Sequence, residues 1–362
     1  MVAEGHGVQP FFSIGVPTYN RHKLLRETLQ SVLSQSFGDF EIIVGNDYQA
    51  EVLTGEMLGI TDPRIRFMNH PRNLRETGNM NALLHLATGR YFTWLFDDDL
   101  HEPDYLLTAY QFLAHNNLPP ALFSSFKLLR GNDPFLPRKV TTYKSCLLTG
   151  QEFLTKYFAG RVKIVSTSGL FETVKLREIV GGVEELCPSA IGLYSEYLFL
   201  AKCALLDRIA YLDSPFVVMR FHSESWSQTN LELHKYLHAG QTLVQRCSQI
   251  FRYPSLSGNL GSNLLGICKI HLYTYAYKSA RFEMDQSGLG VRGAYRAIAL
   301  YYEAAMATKG SFTIETGLSA APPVFIMTQV RHTFLIIAWF AVFRVRRLFP
   351  GFLRLTRSFT PQ

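Results

Sequence analysis

The sequence predicts an α/β fold whose first half holds a parallel sheet covered on both faces, and three stretches carry that expectation. Two continuous apolar runs, FFSIGVP at residues 11–17 and FEIIV at 40–44, flank a helical repeat. That is the spacing of a βαβ unit, and buried parallel strands read as unbroken apolar runs. A third run, YFTWLF at residues 91–96, is aromatic and β-branched, too short for a helix, and bounded by Gly89 and Pro103. It ends in three consecutive carboxylates, Asp97, Asp98 and Asp99. Ligands of open α/β sheets bind at the carboxyl ends of strands. Three adjacent carboxylates also repel one another, so a cation belongs beside them. The triad therefore reads as a metal or diphosphate site, against the alternative of a solvated acidic turn.

The elements follow in order. After the strand at 11–17, Thr18, Tyr19 and Asn20 can cap a helix, Asn20 best. Leu25, Leu29, Val32 and Leu33 then fall on one helical face, which Gly38 should end. The strand at 40–44 runs into a Gly45-Asn46-Asp47 turn at its carboxyl end, where Asp47 is either a ligand contact or an ordinary turn residue. Residues 64–68 alternate around Ile65 and Phe67 as a third strand, and Met80, Leu83, Leu84 and Ala87 take helical spacing up to Gly89. Residues 11–99 thus form an alternating half with two acidic strand ends, suited to a nucleoside diphosphate whose phosphates share Mg²⁺ or Mn²⁺ with the acids. Residues 11–99 hold no P-loop and no GxGxxG, which argues against a kinase, an NTPase or a dehydrogenase.

At 362 residues the chain is long enough for one large domain with an appendage, or for two domains. Its five cysteines are scattered without a CxxC pair, as in a protein of reduced thiols. The N-terminus has no basic and apolar leader, so a cytoplasmic location is expected. The net charge of +7 is a property of the tail: from Thr316 onward there is no Asp or Glu but six arginines, leaving 30 Lys+Arg against 29 Asp+Glu over residues 1–315. A nearly neutral main domain is a poor tracker of phosphate backbones, so nucleic acid is not an expected partner.

The segments IGVPTYNR, FEIIVGND and ATGRYFTWLFDDDLHEPDYL, in that order, resemble the family 2 glycosyltransferases. Later stretches extend the resemblance to roughly residues 11–227. Leu170-Phe171 and residues 175–186 resemble the family's acceptor-side strand and its Gly-Gly turn, here Gly181-Gly182. Tyr194-Ser195-Glu196-Tyr197 resembles its acidic pair and aromatic, and Arg220-Phe221-His222-Ser223-Glu224-Ser225 its Arg-x-His-x-x-Ser stretch. The resemblance implies the GT-A fold, a Rossmann-like mixed α/β sheet, with a C-terminal helical extension. It also implies inverting transfer from a nucleotide-sugar, most readily a UDP- or dTDP-sugar, to a glycan or lipid-linked acceptor in polysaccharide, lipopolysaccharide or glycolipid assembly.

Carried over position by position, Pro17, Thr18 and Tyr19 would line the nucleotide pocket and Asp47 would bond the base. Asn73, Gly78 and Asn81 would lie under the ribose and phosphates, although both asparagines could equally be turn or capping residues. Asp98 stands at the metal-binding position, with Asp97 or Asp99 beside it, and His222 is a further metal or diphosphate contact; the cation would be Mn²⁺ or Mg²⁺. The chain departs from the family at Phe96, in place of the first aspartate, at Asn46, in place of an Asp, and at Arg75 and Met80, where a glycine and an arginine are common.

Glu196 is the expected base. Its surroundings, IGLYSEYLFL, are otherwise apolar, and burial there raises a carboxylate's pKa toward neutrality. The alternative is a surface glutamate paired with Lys202. Two further activities remain open, a metal-dependent nucleotide-sugar hydrolase and a non-catalytic membrane-bound scaffold. The expected division is a GT-A domain at 1–230, a helical extension at 231–315 and a basic amphipathic tail at 316–362. Within the tail, residues 333–343 are uncharged between Arg331 and Arg344, Arg346 and Arg347. That length is short for a membrane span and suits a helix lying at the inner face of the cell membrane with Trp339 in the acyl boundary; the alternative is a buried C-terminal helix.

Overall fold

In a computed structural model, which describes residues 9–131, 133–140, 142–221, 232–318 and 320–348, the first ninety residues alternate as the apolar runs require. β1 (Phe12–Thr18), α1 (His22–Leu33), β2 (Phe40–Asn46), β3 (Ile65–Asn69), α2 (Arg75–Leu86) and β4 (Tyr91–Trp94) follow one another. Every residue of β1 is buried, as a parallel strand covered on both faces must be. β1 pairs in parallel with both β2 and β4, with Phe12 opposite Phe40 and Tyr91.

Beyond β4 the sheet becomes mixed, as the resemblance implied. β5 (Leu100–His101), α3 (Tyr105–His115), β6 (Ala121–Arg130), β7 (Lys144–Leu148), α4 (Gly150–Phe158), β8 (Gly169–Glu172), α5 (Ser195–Cys203) and β9 (Ile209–Phe221) complete the unit. The strand order is β3-β2-β1-β4-β8-β6-β9-β5, with β7 also on β9. β8 runs antiparallel to β4 and to β6, while β6 and β9 are parallel. The carboxyl ends of β1, β2, β4 and β9 therefore share one edge. This is the mixed sheet that the resemblance implied.

Two local readings are corrected. Asn20 does not cap α1: it turns the chain at φ +52°, and the helix begins after Arg21, which makes no side-chain cap bond. α1 also ends at Leu33, five residues before Gly38. Arg75 adopts φ +61°. A glycine takes this left-handed conformation at no steric cost, which explains why a glycine is common there.

The chain separates into two compact units, Met1–Thr229 with Arg252–Asn259, and Asn230–Phe251 with Leu260–Gln362. In the second, α6 (Leu233–Phe251), α7 (Leu260–Ser287), α8 (Val291–Thr316) and α9 (Val324–Leu348) are the described helices. α9 is a continuous helix of 25 residues, longer than its uncharged stretch at 333–343. Its stretch Val324–Arg344 is long and apolar enough to cross a membrane by length and composition. Trp339 faces inward, correcting the expectation of a lipid-facing indole: it is 6% exposed and meets the Tyr277 ring edge-on at 5.5 Å. His332 Nδ1 lies 3.1 Å from the Tyr301 hydroxyl, and Phe325 packs on Phe312. The opposite face leaves Ile326, Val330, Phe334 and Ile337 exposed. The side chains of Arg346 and Arg347, and Arg354 and Arg357 entirely, lie outside the described residues.

α2 approaches β2 closely because Gly45 has no side chain. Asn79 Nδ2 donates to the Gly45 carbonyl at 2.8 Å, and a Cβ on Gly45 would stand 2.1 Å from Asn79 Oδ1. Gly45→Ala should lower stability by about 2 kcal/mol through this overlap. Thermal unfolding checks it, and an unchanged midpoint would place α2 further from the strand.

Candidate active site

The shared strand edge forms one wall of a pocket of ≈ 610 Å³, a size that accepts a small organic ligand. Pro17 and Thr18 close β1 and lead into Tyr19. Asp47 follows β2, Phe96–Asp99 follow β4, and Met219 and Arg220 end β9. The first turns of α2 and α5 add Arg75, Glu76, Ser195 and Glu196.

The cation demanded by three adjacent carboxylates is supplied within the chain by two arginines. Arg21 Nη1 lies 3.3 Å from Asp97 Oδ1 and 3.1 Å from Asp98 Oδ2. Thr18 Oγ1 donates to the other oxygen of Asp97 at 2.7 Å. The Arg220 backbone N–H donates to Asp99 Oδ1 at 3.0 Å, while its guanidinium donates to the Asp98 carbonyl, to Glu27 and to the Leu24 carbonyl. Compensation is incomplete. Burial, and then the neighbouring Asp98, push the Asp97 carboxyl up to about 6. The same two causes hold Asp99 well above the ordinary range against the pull of Arg220.

Across the pocket stand two more carboxylates. Glu196 Oε1 accepts from the Ser166 N–H at 3.0 Å, and burial raises its pKa. Lys202, the alternative partner, is engaged instead by the Gly182 carbonyl at 3.0 Å and Glu184 Oε1 at 2.9 Å. Glu76 accepts from the Gly192 N–H at 3.3 Å. Burial raises its pKa to about 7, with further upward push from Glu196 and Asp98.

Of the residues singled out in the sequence, Pro17, Thr18, Tyr19, Asp47, Asn73, Asp97, Asp98, Asp99 and Glu196 line this pocket together. Asp47 Oδ1 accepts from the Leu74 N–H at 2.7 Å, and its pKa is raised by burial. Gly78 and Asn81 are not among the lining residues. Gly78 sits within α2 against Leu74, and Asn81 spends both ends of its amide on the Val183 backbone, at 2.8 and 2.9 Å. His222 lies outside the described residues. Arg21 and Glu76 went unassigned in the sequence. The only signal for Arg21 was the triad's unmet need for a cation, and Glu76 had no signal beyond being acidic in a helix's first turn.

The donor set fits a divalent cation shared with a diphosphate rather than a self-contained metal centre. Among the described residues no three His, Cys, Asp or Glu side chains converge as a metal cluster. Asp97 and Asp99 are tied to Thr18 and to the Arg220 backbone, which leaves Asp98, 15% exposed, as the most accessible carboxylate of the three. Mg²⁺ is commonly held through one or two carboxylates plus substrate phosphates.

Residues 13–135 match the family model described as Glycosyl transferase family 2. The putative colanic acid biosynthesis glycosyl transferase WcaA of Escherichia coli (strain K12) is 34% identical over 108 residues, 29% of this chain and 38% of that protein. The GalNAc(5)-diNAcBac-PP-undecaprenol β-1,3-glucosyltransferase of Campylobacter jejuni is 37% identical over 93 residues, 25% of this chain and 30% of that one. The chain thus spans about a third of the length of these curated relatives. The crystal structure of S. aureus TarS with UDP-GlcNAc superposes with a TM-score of 0.54 at 17% identity, over 84% of this chain and 90% of that chain, a likeness of fold.

Glu76 generates a stability prediction. A carboxyl whose pKa is raised on folding binds protons more tightly folded than unfolded, so its destabilising effect is absent below the unfolded value near 4.5 and complete above about 7. Glu76→Gln, which keeps the acceptor for Gly192, should therefore raise stability by about 2 kcal/mol at pH 8. The gain should shrink toward zero as pH falls to 5, measured by thermal unfolding across that range.

Proposed function

We propose that the chain, whose residues 13–135 match the Glycosyl transferase family 2 model, is an inverting, metal-dependent glycosyltransferase that moves a sugar from a nucleoside-diphosphate donor to an acceptor hydroxyl. The observation that carries the reading is a single pocket with an acidic triad at the strand edge and a raised-pKa carboxylate, Glu196, on the facing helix. Asp47 and Tyr19 would meet the nucleotide, and the triad the diphosphate. A divalent cation beside Asp98 supplies charge neutralisation for the departing nucleoside diphosphate. The acceptor hydroxyl gives its proton to a Glu196 oxygen as its own oxygen attacks the anomeric carbon from the face opposite the diphosphate. The bond from that carbon to the diphosphate breaks, and the configuration inverts. Ser166, through its N–H to Glu196, holds the base in place.

The sugar donor is a UDP- or dTDP-sugar in this reading, and the acceptor a glycan or lipid-linked glycan of a cell-surface polymer. The C. jejuni relative, named for an undecaprenol-linked glycan, supports that acceptor class. A peripheral position at the inner membrane face accords with α9, whose outer side presents Ile326, Val330, Phe334 and Ile337, with Arg331 and Arg344 exposed on the same helix.

Glu196→Gln should bind the nucleotide-sugar normally and lose transfer by about 10²–10⁴-fold, measured with a panel of nucleotide-sugars, Mn²⁺ and acceptor. In the unsubstituted protein the rate should rise with pH along a limb above the ordinary carboxylate range, because only the deprotonated glutamate accepts the proton. Full transfer by the variant would put the base elsewhere, and donor cleavage indifferent to acceptor would make the protein a hydrolase.

For the membrane contact, Phe334→Glu with Ile337→Glu alters exposed positions only. The doubly substituted protein should keep its unfolding temperature and lose sedimentation with anionic liposomes; undiminished sedimentation would reject α9 as the anchor.

A further inference from the structure

Both of the arginines that neutralise the triad belong to the folded chain, yet they are held very differently. Arg220 is spread over the Asp98 carbonyl, Glu27 and the Leu24 carbonyl, and its backbone N–H fixes Asp99. It is part of the framework joining β9, α1 and the turn after β4. Arg21 reaches Asp97 and Asp98 with one nitrogen, Nη1, bridging the two carboxylates at 3.3 and 3.1 Å. Arg21 also stands at a chain turn, after Asn20 at φ +52° and before the first residue of α1, and it does not cap that helix.

We propose that Arg21 is an exchangeable counter-ion: it neutralises Asp97 and Asp98 while the pocket lacks a sugar donor, then yields Asp98 to the divalent cation and transfers to the diphosphate as the donor binds. The proposal deepens the glycosyltransferase reading and rests on its placing of the cation at Asp98. The physical reason is exclusion. Asp98 Oδ2 now faces a guanidinium, and a divalent ion at that oxygen would lie within a few ångströms of Nη1, a repulsion of several kcal/mol at protein-like dielectric. Asp97 would keep its Thr18 hydrogen bond throughout. The released guanidinium would remain in the pocket that Arg21 lines, beside the phosphates that arrive with the cation. Bare cation is thereby disfavoured and the cation–diphosphate pair favoured, so binding of the two is coupled.

The test measures Mn²⁺ binding by electron paramagnetic resonance, with and without UDP, in the full chain and in Arg21→Gln, Arg21→Lys and Asp98→Asn. Without UDP, Arg21→Gln should bind Mn²⁺ at least about tenfold more tightly than the unsubstituted protein, and Arg21→Lys, which keeps the charge, should not. With Mn²⁺ present, Arg21→Gln should bind UDP more weakly. Mn²⁺ affinity without UDP that is unchanged or reduced in Arg21→Gln overturns the proposal. Unweakened UDP binding overturns the transfer to the diphosphate. Should Asp98→Asn take up Mn²⁺ with UDP as the unsubstituted protein does, the cation does not sit at Asp98, and the underlying reading fails separately. Thermal unfolding of each variant establishes that it is folded, and Arg21→Lys carries the comparison if Arg21→Gln is not.

Discussion

Three carboxylates on consecutive residues, two of them buried, can be retained at the end of a strand only if positive charge is brought to them from elsewhere in the chain. That constraint organises the first unit. Arg220 arrives from the far end of β9 and binds at once the turn after β4 and the helix α1. Arg21 arrives from the turn that links β1 to α1. The edge of the sheet is thus closed by charge as much as by packing. Burial, and then the neighbouring Asp98, keep Asp97 and Asp99 harder to ionise than ordinary aspartates.

The facing wall follows different physics. Glu196 and Glu76 accept from backbone N–H groups, of Ser166 and Gly192, and among the described residues neither forms an ion pair. Their burial is destabilising, which natural proteins commonly tolerate where a group must accept a proton. One pocket therefore contains acids set against two arginines and acids held by backbone N–H groups. The separation arises from which backbone and side-chain donors reach each one.

Much of the fold was legible because a few kinds of local pattern dominate it. The unbroken apolar runs of β1 and β2, and the aromatic run of β4, can only be strands buried on both faces. The position of Asp97–Asp99 follows once β4 is placed. The strand at Leu170-Phe171 was legible from the resemblance, but its antiparallel place between β4 and β6 was not, since four residues, GLFE, carry no directional signal. Asn20 was misread as a cap because cap preference is a weak local rule, while the turn needed to aim Arg21 at residues 76 and 77 positions away is a tertiary requirement. Trp339 was misread for a related reason: an apolar segment bordered by arginines has the same composition whether its indole meets lipid or, as here, Tyr273 and Tyr277. Arg21 and Glu76 acquire their roles only from juxtaposition in space.

The contact between Arg220 and Glu27 closes a loop of 193 residues, and this long span has a consequence for how the protein is made. During synthesis β1 to β4 emerge first, with β4 paired on one side only until β8 follows. The acidic turn must wait longer still, for β9, before Asp99 finds the backbone of Arg220. Non-local pairings of this kind form slowly because closure entropy precedes their reward, and an unpaired strand edge exposed meanwhile invites association with other chains. Assembly of the acidic edge is therefore a late event on the ribosome, and a chain halted after the family-matched segment would bear its acids with no Arg220 to receive them.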